Sequence, residues 1–185
     1  HDPDKPTGQI DMARKLRLQR PRQSVSAMLM AGIGAEETLH WCLKSLTHMA
    51  DELIIADCGL SAEAHRIIDT YRWRPLDGQP HNYLPSIRII PGGDPKADGF
   101  ETPRNLALAA ALQDWVLWID TDEKLLQPDK LSKYLRPNVF DGYSIRQHHF
   151  SVDAAFGADL PVRIFRNPRN TGSGMRFIGM IHEHP

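Results

Sequence analysis

With 185 residues, 41% of them apolar and 24% charged, the chain is long enough to bury a core and has the make-up of a soluble globular protein. A formal net charge of -1 supplies no global field that would recruit nucleic acid or an acidic membrane, and the two cysteines, Cys42 and Cys58, build neither a disulfide framework nor a zinc motif. No apolar run approaches the ~18 residues of a membrane span, no signal peptide is visible, and buried free thiols point to a reducing, cytoplasmic compartment.

Residues 1–23 are polar and carry Lys5, Arg14, Lys15, Arg17, Arg20 and Arg22, which reads as a loosely docked basic arm before a domain over 24–185. Contact of this arm with a polyanion such as nucleic acid is a second reading of the same charges. "VSAMLMAG" (25–32) is a short apolar run closed by glycine and suits a buried strand. Glu36 and Glu37 then favour a helix start, and Leu39, Leu43, Leu46 and Met49 follow at helical spacing. "ELIIAD" (52–57) is a second buried strand, and Ala64, Ile67, Ile68 and Tyr71 mark the next helix face.

Residues 73–99 are rich in Pro and Gly, with one strand expected at "SIRII" (86–90). "TPRNLALAAALQD" (102–114) predicts a helix with Thr102 as N-cap and Pro103 in the first position, feeding into the strand "WVLWID". The resulting β-α-β-α-β-α-β order predicts a mainly parallel sheet covered by helices, an α/β fold. Beyond residue 124 a short helix is expected at 128–135, then strands in "GYSIRQHHF" and "PVRIFRN". The last residues, "MIHEHP", read as a domain boundary, with further sequence expected after Pro185.

The segment "WVLWIDTDE" (115–123) sets Asp120, Asp122 and Glu123 directly after an apolar strand. Neighbouring ionised carboxylates repel and resist burial, so something positive is expected beside them. A metal ion, a basic partner segment and water are the candidates. In open α/β sheets ligands sit outside the carboxyl ends of the strands, which puts Asp57 and Asp120 on one rim. Asp120 and Asp122, two apart in extended chain, can share one Mg2+ or Mn2+ with water and phosphate oxygens. Arg104 at a helix start offers a phosphate fork. Trp115, Trp118, Met28 and Met30 read as core, and His148, His149 and His184 as structural or exposed.

Five ordered blocks, "SAMLMAGIGAEETLHWCLKSL", "ADELIIADCGLSAEAHRII", "ETPRNLALAAAL", "WVLWIDTDEKL" and "FIGMIHEHP", resemble the family 2 glycosyltransferases, and most of all the branch that decorates lipopolysaccharide cores. The resemblance runs from about residue 25 to 185. It implies a GT-A, Rossmann-like fold, a nucleotide-sugar donor with UDP-sugars first, and a glycan, lipid-linked or other hydroxyl acceptor. By the same resemblance Ala31 and Gly32 line the donor edge, Glu36 or Glu37 matches the acid of an N-E pair there, and Asp57 reads the base or ribose. Arg104 and Asn105 match the family's "aRN" near the diphosphate. Asp120 and Asp122 match D-x-D, and His182 completes the metal set. The sequence departs from the family pattern in lacking the Asn of an N-E pair and in reducing a longer loop to "DCGLSAEAH".

The implied chemistry is inverting transfer with Glu183 as base, and with Asp153 or Asp159, expected in a loop, as alternatives. A dehalogenase-like phosphatase, which also has D-x-D after a strand, is excluded because Lys124 stands where those enzymes want Thr or Val. A domain that binds nucleotide sugar or carbohydrate without turnover is the competing reading.

Overall fold

The computed structural model describes residues 23–73, 85–136, 139–150 and 155–178. The basic arm up to residue 22, and with it Asp153, His182, Glu183 and His184, lies outside the described residues. The first apolar run forms β1 (Val25–Gly32), and a 3-10 turn at Ala35–Glu37 leads into α1 (Leu39–Leu46). Then come β2 (Glu52–Cys58), α2 (Ala62–Trp73), β3 (Ser86–Pro91), α3 (Pro95–Asp98), α4 (Glu101–Ala110) and β4 (Trp115–Trp118). The remainder is α5 (Pro128–Tyr134), β5 (Gly142–Ser144), β6 (Gln147–Phe150), β7 (Ala155–Asp159), β8 (Val162–Arg166) and α6 (Pro168–Thr171).

Six strands make one sheet in the order β3-β2-β1-β4-β8-β5. The first four run parallel, β8 returns antiparallel to β4, and β5 is antiparallel to β8. Strands β6 and β7 form a separate antiparallel pair. Alternation along the central strands sends side chains to two apolar layers. Ala27, Leu29, Leu53, Ile55 and Leu117 pack with Leu39, Leu43 and Leu46 of α1 and with Ile68 of α2. Met28, Ile54, Ala56 and Val116 pack on the other face against Ala107 and Leu108 of α4 and against Phe165. Burial on both faces explains why these strands read as near-continuous apolar runs.

Three local expectations are corrected. Thr102 does not cap its helix: α4 begins at Glu101, and Thr102 Oγ1 donates to Asp98 O at 2.7 Å. Only Gly99, at φ 79°, and Phe100 separate α3 from α4, so a carbonyl of α3 lies within reach of the Thr102 hydroxyl. The short α3 and α6 were not expected, although each carries a readable signal. Asp94 and Asn167 accept from the backbone N–H two residues on, and each precedes a proline. Strand β7, "AFGAD", lacks apolar alternation, and so Asp159 ends a strand where a loop was expected.

The bottom of the sheet is fastened by a buried acid. Glu52, 2% exposed, accepts from Ser26 Oγ (2.6 Å), Leu112 N (3.0 Å) and Arg88 Nη2 (2.5 Å), while Ser26 Oγ accepts from Gln113 N (3.1 Å). One carboxylate thereby joins β1, β2, β3 and the exit of α4. Glu52→Ala removes the acceptor of the Leu112 amide and of the buried Ser26 hydroxyl, while the Arg88 guanidinium keeps only the Ala110 carbonyl. Chemical denaturation is expected to show a loss of about 3–5 kcal/mol, with Glu52→Gln losing less. An unchanged midpoint in both variants would contradict this role.

Candidate active site

Parallel strands deliver their carboxyl ends to a common rim. The register pairs Ala31 with Asp57, Gly32 with Cys58 and Asp57 with Pro91, and Ile119 N bonds Met28 O at 3.1 Å just before Asp120. Ala31, Gly32, Asp57 and Asp120 therefore share one edge, as their strand-end positions imply. The approach there is tight, since a Cβ on Gly32 would stand 3.0 Å from Cys58 O. Glu36 follows in the 3-10 turn, with Oε2 buried and without a hydrogen-bond partner. Asp57 Oδ1 accepts from Gly59 N (2.9 Å) and Leu60 N (2.8 Å), and Oδ2 lies 3.8 Å from His65 Nε2. One oxygen shapes the turn and the other faces the rim.

The acidic loop is docked from below by α1. Cys42 Sγ donates to Asp120 O at 3.5 Å, and Leu125 N donates to Ser45 Oγ at 3.1 Å. The loop also closes on itself, because Asp120 N donates to Glu123 Oε2 (2.9 Å) and Glu123 N to Asp120 O (3.0 Å). Burial pushes the Glu123 carboxyl above the ordinary carboxylate range, against the pull of the Asp120 N–H and of Arg163. The Cys42 thiol is pushed up to about 12, first by burial and then by Glu123, Asp120 and Asp122.

The positive partner of these acids comes from the chain itself. Arg163 on β8, 9% exposed, donates from Nη2 to Glu123 Oε1 (2.6 Å) and Gln147 Oε1 (3.0 Å), with Nη1 3.6 Å from Asp120 Oδ2. Arg104 on α4 places Nη2 3.4 Å from Asp120 Oδ1. Both guanidiniums lie against Trp118, at 3.7 Å (Arg163) and 4.8 Å (Arg104) from its ring centroid. Trp118 Nε1 donates to Val162 O at 2.9 Å, which fixes the ring. Trp115 is core as expected, whereas Trp118 is a half-buried platform for two cations. Asp122 is exposed and has no cationic partner among the described residues.

Sequence reasoning missed Arg163. The signal was a lone arginine in the apolar strand "VRIFR", but reading it required knowing that β8 returns beside β4, one step beyond the Leu117–Ile164 pair. Asn105 is also used in an unexpected way. Its Nδ2 donates to Phe177 O and its Oδ1 accepts from Phe177 N, both at 2.9 Å. This clamp holds Phe177 against Trp118 and Phe165. Asp159 ends β7 opposite Gln147, with its Oδ2 3.1 Å from His149 Nε2. Beside the acidic loop opens a groove of ≈ 990 Å³, walled by that loop, α5 and residues 144–149.

Comparison with solved structures settles the architecture. The chain aligns with S. aureus TarS 1-349 at a TM-score of 0.53 and 14% identity, covering 84% of this chain and 50% of that one. Against TarS 1-349 in complex with UDP-GlcNAc the TM-score is 0.54, again at 14% identity, covering 84% and 48%. The fold is GT-A. The chain spans about half the length of the solved structures it resembles. No family model matches the sequence, and no curated protein matches it.

The burial of Cys42 under the GT-A loop is directly measurable. A thiol-reactive dye at about pH 8, near the ordinary thiol value, is expected to leave Cys42 unmodified until the protein is unfolded. Native labelling of Cys42 as fast as that of the half-buried Cys58 would contradict the docking of the loop on α1.

Proposed function

We propose that the chain is a family 2 glycosyltransferase domain, akin to the lipopolysaccharide-core branch, that moves a sugar from a nucleoside diphosphate to an acceptor hydroxyl. The observation that carries this reading is the gathering of Asp57, Asp120, Asp122 and Arg104 at the carboxyl rim of a parallel sheet. TarS in complex with UDP and with UDP-GlcNAc supports a uridine nucleotide as the first donor to try. In this reading Ala31, Gly32 and Glu36 line the donor edge, and Asp57 Oδ2, 3.8 Å from His65 Nε2, receives a ribose or base donor group.

A divalent cation fits the donor set. Among the described residues Asp122 offers a carboxylate without a cationic partner, Asp120 two residues away would turn an oxygen from Arg104 or Arg163 to the ion, and no cluster of three His, Cys, Asp or Glu forms. Mg2+ or Mn2+ held by Asp120 and Asp122, with His182 as the third protein ligand, would keep positions for water and diphosphate oxygens. When bound, such an ion neutralises charge on the leaving diphosphate. Arg104 supplies a planar fork to the same oxygens, and Trp118 holds that fork in place. The bond from the anomeric carbon to the diphosphate oxygen breaks as the acceptor oxygen bonds to that carbon. The acceptor proton passes to Glu183, with Asp159 as the alternative base, and a single displacement of this kind inverts the anomeric carbon. Asn105 contributes by clamping Phe177, five residues before His182 (182 − 177), a reach of about 16–18 Å.

Binding without turnover is the second reading. It draws on Asp57 spending one oxygen on its own turn and Asn105 spending its whole amide on Phe177. Release of UDP from UDP-sugars by the purified protein separates the two. For the site itself, Asp57→Asn keeps an oxygen for the Gly59 and Leu60 amides yet removes the charge. Calorimetry is expected to show UDP affinity weakened by roughly 1–3 kcal/mol. Unchanged UDP affinity in Asp57→Asn would remove Asp57 from the donor site.

A further inference from the structure

The groove beside the acidic loop has walls whose charges do not balance. Its acids are Asp120, Asp122 and Glu123, and its fixed cations are Lys124, Lys130, Arg146 and Arg163. Arg163 is already matched by Glu123 at 2.6 Å and Asp120 at 3.6 Å, and Lys124 Nζ lies over the Trp41 ring at 5.9 Å. His149 meets Asp159 at 3.1 Å. Lys130 on α5, Arg146 just before β6 and His148 within it have no acidic partner among the described residues.

Exposed basic residues are common, and three of them alone mark nothing. Two further observations give them meaning. Tyr134 and Leu126 line the same groove while 61% and 64% exposed, and the Tyr134 ring stacks on no other aromatic ring among the described residues. An open aromatic face among hydrogen-bonding groups suits a sugar ring, whose C–H face packs while its hydroxyls bond outward. The second observation is Arg163 Nη1, a buried donor without a hydrogen-bond partner on a side chain only 9% exposed, at the Asp120 side of the groove. Buried donors are seldom left orphaned, so a ligand oxygen is expected there.

We propose that this groove is the acceptor subsite and that the acceptor is a saccharide bearing an anionic group, a phosphate ester or a carboxylate. Lys130 and Arg146 supply the matching charge and His148 a further donor, while Tyr134 receives the ring. Assigning the groove to the acceptor rests on the donor lying at Asp57 and Asp120. Recognition of an anionic sugar by the groove does not.

The test is calorimetry on the full chain with glucose 6-phosphate, glucuronate, glucose and inorganic phosphate, with UDP measured separately. Glucose 6-phosphate or glucuronate is expected to bind at least about ten-fold more tightly than glucose or inorganic phosphate, and whichever of the two is tighter assigns the acidic group. Lys130→Ala combined with Arg146→Ala, both exposed and off the donor rim, is expected to weaken the charged hexose by about ten-fold or more and leave UDP binding intact. Glucose binding as well as the charged hexoses overturns the proposal, as does charged-hexose binding that the double variant leaves unchanged. Absence of charged-hexose binding overturns it too, and inorganic phosphate binding as tightly as glucose 6-phosphate reduces the groove to an adventitious anion site. Failure of UDP alone, with the charged hexose still bound and sensitive to the double variant, strikes the donor reading while supporting anionic-sugar recognition.

Discussion

The pairing of Arg163 with the acidic loop is the constraint on which the site depends. Three carboxylates in four residues cannot sit at the end of a buried strand without a counter-charge. Arg163 crosses from β8 to meet two of them, and Trp118 holds its guanidinium from the side. Its position is possible only because β8 runs antiparallel beside β4 and places Arg163 next to Trp118 on the α4 face of the sheet. The same ring receives Arg104 from α4. One tryptophan thus brings a helix and a strand to bear on one aspartate, and the third acid, Asp122, stays exposed.

Support for this arrangement reaches into the rest of the fold. The loop rests on α1 through Cys42 and Ser45, and the thiol beneath it is held protonated by burial. At the opposite end of the strands Glu52 joins β1, β2, β3 and the exit of α4. A rim built on strands tied at their far ends and braced by a helix underneath keeps its side chains in fixed relation, which any ligand site on it requires.

The alternation of strands and helices up to Asp120 was legible because parallel strands buried on both faces leave unbroken apolar runs. The shared rim of Asp57 and Asp120 followed from the same pattern, since a parallel sheet sends all its carboxyl ends one way. What could not be read were contacts that join distant segments. Arg163 lies 40 residues beyond Glu123 (163 − 123), and nothing local to "VRIFR" says which strand it will face. Asn105 was matched to a diphosphate neighbourhood by resemblance, yet its amide meets the backbone of Phe177, a pairing set by where the chain returns. Thr102 was misread for a local reason, because α3 ends two residues before α4 and offers its hydroxyl a carbonyl.

The central claim is that this braced acidic loop and the adjoining rim form a nucleotide-sugar site. A crystal of the protein grown with manganese and UDP, with an anomalous difference map, addresses it most directly. The account predicts an anomalous peak at about 2.0–2.3 Å from an Asp122 oxygen, the diphosphate between that peak and Arg104, and the uridine toward Asp57. Nucleotide bound elsewhere, or a rim that stays empty with Arg104 and Arg163 still closed on Asp120, would contradict it.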